Sequence, residues 1–189
     1  MKQLCPVHEM AVRDFGIHPE NWWRAEQVHG NRIAIVPGPT QIIAPDGLPV
    51  VPNVDGLVTN QHGLALTIYV ADCGAIWLAD RKSSAIGLLH SGKKGTESNI
   101  LGEALSSMKQ NFGTNPEDVT AVLSPCIRPP DYEIDFAAEI KSQAKIAGIG
   151  NFIDCDLNTA SDLSRFYSYR REVGKTGRMM AMLVRDFLT

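Results

Sequence analysis

The sequence predicts one domain in which β-strands and helices are interspersed along the chain. Three observations predict it. With 189 residues, 44% of them hydrophobic, the chain can bury one sizeable core but not comfortably two, so residues 1–189 are read as a single domain. Between residues 54 and 91 lie three short apolar segments broken by turn residues, the pattern of buried strands. Beyond them one well-marked amphipathic helix alternates with further strand candidates.

In chain order, residues 1–26 carry Pro6, Pro19 and the Trp22-Trp23 pair, which interrupt long periodicity and predict a short helix followed by an irregular approach. Residues 32–36 read as a short strand. Residues 37–53, with five prolines and two glycines, read as loop. The three apolar segments span residues 64–71, 75–79 and 85–89. Each is too short for a globular helix and rich in Ile, Val, Leu and Trp. Thr96 or Ser98 can cap a helix in which Leu101, Ala104, Leu105, Met108 and Phe112 recur at helical spacing, with Gly113 as its stop. Residues 119–124 predict a strand, 134–146 a helix, 151–155 a short strand and 159–171 a polar helix. Gly174 and Gly177 then turn the chain into a last strand over residues 178–187.

A net charge of -3 with mixed acids and bases gives no nucleic-acid track or membrane-surface patch, so a small-molecule substrate is expected. Cys5, Cys73, Cys126 and Cys155 are widely spaced with no C-x-x-C pair, which predicts neither a disulfide framework nor a zinc knuckle. No signal-peptide pattern opens the chain, and no apolar run approaches the ~20 residues of a membrane span. A cytoplasmic protein is expected.

Two of the five histidines sit at strand ends: His90 closes residues 85–89, and His29 precedes residues 32–36. Cys73 lies in the break between two further strands. Strand ends converge at one rim of a sheet, where two imidazoles and a thiolate would suit Zn²⁺ and leave a fourth position open. Taken by spacing alone, the same residues also read as a buried small hydrophobe and two satisfied histidines, which is the commoner case.

Residues 89–96, Leu-His-Ser-Gly-Lys-Lys-Gly-Thr, predict a turn entering the amphipathic helix. There Ser91, Gly92, Lys93 and Lys94 could hold an anion such as phosphate, or form an ordinary solvated turn. Asp72 and Asp55 could orient a ligand or take a proton, or be turn residues. Cys126 could face the same rim or be core. Arg170, Arg171 and Arg178 could meet a phosphate or be solvated. His8, His18 and His62 read as surface residues.

In order along the chain, Gln27-Val28-His29-Gly30, Val54-Asp55-Gly56-Leu57-Val58-Thr59, Ala71-Asp72-Cys73-Gly74 and His90-Ser91-Gly92 form a recognisable set. It continues through Ser124-Pro125-Cys126-Ile127, Tyr132-Glu133-Ile134, Phe166-Tyr167-Ser168-Tyr169-Arg170-Arg171 and Thr176-Gly177-Arg178. The set resembles the YfiH-like family, also labelled multicopper polyphenol oxidase or laccase-domain proteins. The resemblance covers about residues 24 to 187. It implies an α+β fold, a single domain of mixed β-sheets with flanking helices. It also implies a metal held by His29, Cys73 and His90; these residues and Asp72 are the expected catalytic residues, and the anion site read from the residues themselves would draw on Ser91, Gly92, Lys93, Lys94 and Arg178.

The implied activity is a zinc-dependent reaction on purine nucleosides: phosphorolysis of adenosine or inosine, or adenosine deamination. Nucleoside and phosphate would be the partners. Three other readings stand beside it: a peptidoglycan-precursor amide hydrolase, a copper-dependent polyphenol oxidoreductase, and a non-catalytic metal-binding homologue. The family's H-A-G-W-R-G is here His90-Ser91-Gly92-Lys93-Lys94-Gly95, which keeps positive charge without the bidentate guanidinium. The strands that usually precede the Q-x-H motif are mostly missing, which implies a pocket wall either supplied by a partner subunit in a homodimer or absent.

Overall fold

Runs of apolar residues broken by Gly, Asp and Asn put eleven strands and four α-helices into residues 5–185, which the computed structural model describes. Helix α1 (Cys5–Asp14) is followed by β1 (Trp22–Arg24), β2 (Ile33–Ile35), β3 (Ile42–Ile43), β4 (Pro49–Val50), β5 (Gly56–Thr59) and β6 (Ala65–Val70). Then come β7 (Gly74–Asp80), β8 (Ile86–Ser91), α2 (Lys93–Glu97), α3 (Ile100–Phe112), β9 (Val119–Leu123), α4 (Phe136–Ile146), β10 (Asn151–Asp154) and β11 (Met179–Val184).

Six strands form the main sheet in the order β10-β9-β7-β8-β5-β2, three form a second sheet in the order β1-β6-β11, and β3 and β4 make a two-stranded ribbon. In the main sheet β8 is antiparallel to both β5 and β7, and β7 is antiparallel to β9. The edge strands β2 and β10 join parallel to β5 and β9.

Strand side chains alternate between faces, so β7 and β8 feed two different cores. Leu57, Ala75 and Leu88 pack with Leu66, Ile68 and Ala181 of the second sheet. Val58, Ile76, Leu78 and Leu89 pack with Leu101, Ala104, Leu105 and Met108 of α3 and Ile140 of α4. The main sheet is therefore covered on both faces, which is why its central strands are apolar throughout rather than alternating. Full burial of each Leu or Ile contributes about 1.5–3 kcal/mol.

The well-marked helix is present with Gly113 closing it at φ 71°, but neither Thr96 nor Ser98 caps it. Thr96 falls within α2, and the cap of α3 is Asn99, in the left-handed region, whose side chain accepts the Gly102 N–H. Asn tolerates that conformation better than Thr or Ser. The helix expected at residues 134–146 is α4, capped by Asp135.

Other expectations need correction. The approach at residues 22–24 is a strand, parallel to β6. The proline-rich residues 37–53 are not all loop, since the ribbon lies within them. A partly buried ion pair fastens the ribbon: the Arg24 guanidinium donates to the Asp46 carboxylate at 2.6 Å. No helix forms over residues 159–171, which run as successive turns. The last strand is β11, antiparallel to β6; residues 186 and 187 of the expected strand lie outside the described residues. Among the described residues no helix is long and apolar enough to cross a membrane.

Candidate metal centre

β8 ends at the rim of the main sheet and presents His90, while the tight turn between β6 and β7 presents Cys73. His29 arrives on the irregular segment between β1 and β2. The three donor atoms, two imidazole nitrogens and one sulfur, lie within 4.8 Å of one another. The two rings meet edge to face, centroids 4.9 Å apart. His90 is buried, Cys73 half-buried and His29 exposed, so the cluster opens to solvent on the His29 side.

Asp55 holds this arrangement together. Its carboxylate, fully buried, accepts the backbone N–H groups of Val28 at 3.1 Å, His29 at 2.9 Å and Gly30 at 2.8 Å. Gln27 and His29 both have positive φ, so successive N–H groups turn inward and form a concave nest around the anion. The same carboxylate lies 2.8 Å from Nδ1 of His90. With Nδ1 engaged, Nε2 is the nitrogen His90 offers to a metal, the arrangement that orients a ligand imidazole and raises its basicity.

The electrostatics follow from these contacts. Burial pushes the Cys73 thiol up, but hydrogen bonds from His29 and His90 and their charges outweigh it and bring it to about 7. Burial pushes His90 down, yet its bonds to Asp55 and Cys73 carry it to about 9. Burial likewise raises the Asp55 carboxyl, and the His90, Gly30 and His29 hydrogen bonds more than compensate, holding it below the usual value. A thiol that ionises near neutrality beside two imidazoles is a donor set that fits zinc, or a copper ion, with a coordination position left for a further ligand. Among the described residues this is the one group of at least three His, Cys, Asp and Glu side chains so placed.

The other expected site residues fall differently. Asp72 is buried, but both its oxygens are taken, Oδ1 by the Thr159 hydroxyl at 2.7 Å and Oδ2 by the Arg170 N–H at 2.7 Å. Ser91 is fully buried, its hydroxyl 2.9 Å from that of Thr96. Gly92 is buried too. A Cβ there would sit 2.4 Å from Cys73 Sγ, so glycine is what lets β8 leave the sheet beside the thiol. These two do not line an open anion turn, and the amphipathic helix does not start there, because the five-residue α2 intervenes. Lys93 and Lys94 are exposed.

Arg178 is exposed and precedes Met179, the register partner of Val70, which places it beside the turn that carries Cys73. Arg170 pairs with Glu133 and Arg171 with Asp131. Cys126 is core, its thiol pushed up by burial to about 12. His18 and His62 are exposed, as expected, whereas His8 is half-buried against Tyr69. Asp55, one of the two aspartates that could orient a ligand, does so here, and Gly92, expected in an anion turn, instead makes room for the Cys73 thiol. Both stand in the ordered motifs, Asp55 in the segment from Val54 to Thr59 and Gly92 two residues past His90.

This fold and this donor cluster define a class. The chain belongs to the family described as multi-copper polyphenol oxidoreductase laccase, which it matches over residues 7–145 and 132–186. Among its relatives is the purine nucleoside phosphorylase YlmD of Bacillus subtilis, 29% identical over 89% of this chain and 72% of that protein. A purine nucleoside phosphorylase of Deinococcus radiodurans is 30% identical over 94% of this chain and 77% of that protein. The crystal structure of the hypothetical protein YfiH of Bacillus licheniformis superposes with a TM-score of 0.85 at 23% identity, covering 98% of this chain and 82% of that one. That of YlmD from Geobacillus stearothermophilus does so with a TM-score of 0.81 at 24% identity, covering 95% and 78%. The α+β expectation holds.

Proposed function

We propose that this protein is a zinc-dependent enzyme of purine nucleosides that cleaves inosine or adenosine by phosphorolysis. The observation that carries the reading is the convergence of His29, Cys73 and His90 on one point that opens to solvent, at the end of a sheet whose relatives bear the name purine nucleoside phosphorylase. A bound zinc ion would supply Lewis acidity at that open position.

The chain's own residues do the rest. Asp55 fixes the His90 ring and the His29 backbone, so the donors need little rearrangement. Lys93 and Lys94, exposed just past His90, attract phosphate as point charges. Arg178, whose guanidinium lies over the Tyr169 ring and donates to the Thr176 and Gly177 carbonyls, adds a further positive charge. A reducing cytoplasm would keep Cys73 available as a thiolate.

Purified zinc-loaded protein incubated with inosine or adenosine, with and without phosphate, tests the reading. Phosphate-dependent release of free base is the expected result. Base release that ignores phosphate points to hydrolysis, and conversion of adenosine to inosine points to deamination. No change in either nucleoside overturns the proposal.

A further inference from the structure

The tight turn at Cys73 is tied to three distant segments, and one residue makes all three ties. Asp72 has a φ of 78°, in the left-handed region, where Asp occurs more readily than most residues. Its carbonyl accepts the N–H of Ile127 at 2.8 Å. Its two carboxylate oxygens accept the Thr159 hydroxyl and the Arg170 N–H. The carboxylate therefore closes residues 159–170 into a loop whose two ends rest on the residue next to Cys73.

Within that loop the side chains alternate sharply. Ser168 is fully buried and its hydroxyl accepts the Arg171 N–H, while the flanking residues Tyr167 and Tyr169 are 47% and 55% exposed. These rings do not hang free in solvent. Tyr169 lies against Gly174, where an added Cβ would come within 3.3 Å of the phenol, and the Arg178 guanidinium stands 5.7 Å from its ring centroid. Tyr167 is in closer contact still with Gly177. Large aromatic faces left exposed yet braced from behind are suited to receive a flat ring by stacking.

We propose that Asp72 is a positioning residue which holds residues 159–170 against the Cys73 turn, so that the exposed Tyr169 ring forms the wall on which the substrate's purine ring lies. The proposal rests on the nucleoside reading above and adds to it which residue meets the base. Tyr169 sets specificity for a flat aromatic ring. Asp72 acts through Tyr169 and not on the reacting atoms.

Inosine binding is measured by calorimetry on zinc-loaded protein without phosphate, alongside hydrogen exchange at the Arg170 amide and zinc content. Tyr169→Ala weakens inosine binding about tenfold and Tyr169→Phe does not, as expected of stacking. Asp72→Ala and Thr159→Val speed exchange at Arg170 and weaken inosine binding, while Thr159→Ser, which keeps the hydroxyl, restores both. Zinc content stays at the wild-type level in the Tyr169 and Thr159 variants. In turnover, Tyr169→Ala raises KM and leaves kcat within about twofold, as loss of uniform binding requires.

Unchanged inosine binding in Tyr169→Ala overturns the wall even if phosphorolysis is observed. Unchanged exchange at Arg170 in Asp72→Ala overturns the positioning role. Wild-type protein that binds inosine without cleaving it sinks the phosphorolysis reading and leaves the wall standing, whereas wild-type protein that does not bind inosine sinks both.

Discussion

Nδ1 of His90 lies 2.8 Å from a carboxylate oxygen of Asp55, and the same carboxylate accepts the N–H of His29. One buried anion thus sets the ring of one candidate metal donor and the backbone of another. Asp55→Ala is expected to lower zinc affinity about 10- to 100-fold, the usual cost of losing a carboxylate behind a ligand histidine. Competition with a chromogenic chelator measures it, and an unchanged affinity would show that the donors hold their places without the carboxylate.

Zinc affinity should depend on pH in a stated direction. Metal-free protein near pH 8 carries Cys73 as thiolate, since it ionises at about 7, and His90 protonated, since it titrates at about 9. Zinc must then displace the His90 proton, so affinity rises about tenfold per pH unit between 7 and 9. Below 7 the thiol proton must leave as well and the slope steepens; above 9 it flattens. Calorimetric titrations in buffers of different ionisation enthalpy count the protons released, and a flat profile from pH 7 to 9 would contradict the assignment.

Gly92→Ala drives a methyl group to 2.4 Å from the Cys73 sulfur. The thiol or the end of β8 has to shift, at a cost of about 1–3 kcal/mol typical of overpacking. Thermal denaturation should show the loss, and zinc content should fall with it. Full zinc content at wild-type stability would mean that the turn yields freely.

The cap of α3 offers a test away from the site. Asn99→Ala removes the acceptor for the Gly102 N–H and puts alanine in a left-handed conformation, at a cost of about 0.5–2 kcal/mol. Ser98→Ala is expected to cost less than about 0.5 kcal/mol, as for a surface position. Chemical denaturation of both variants decides which residue is the cap.

Much of the fold was legible because the relevant forces are local. β6, β7 and β8 announce themselves as apolar runs between turn residues, and α3 by its spacing and its closing glycine. The polar helix expected over residues 159–171 fails for a physical reason: side chains take the backbone N–H groups a helix would use. Asn158 accepts from Ala160, Asp162 from Ser164, Glu172 from Ser168, and Asp72 from Arg170. Strand β1 escaped notice because it is three residues long and pairs with β6, a partner 43 positions away at Trp22 and Ala65. The candidate metal donors were individually visible as strand-end residues, but no periodicity brings residues 29, 73 and 90 together. Their assembly was legible only in the ordered motifs of the family.

The unequal environments of the cysteines have a practical consequence for handling the protein. Among Cys73, Cys126 and Cys155, burial makes Cys126 a poor nucleophile and pushes Cys155 upward as well, while Cys73 alone is drawn toward neutrality. An alkylating reagent applied near pH 7 to metal-free protein would label Cys73 ahead of Cys126 and Cys155, and a bound ion would shield it. Labelling at this one position, read by mass spectrometry, would therefore report the loaded fraction of a preparation before any assay of turnover is attempted.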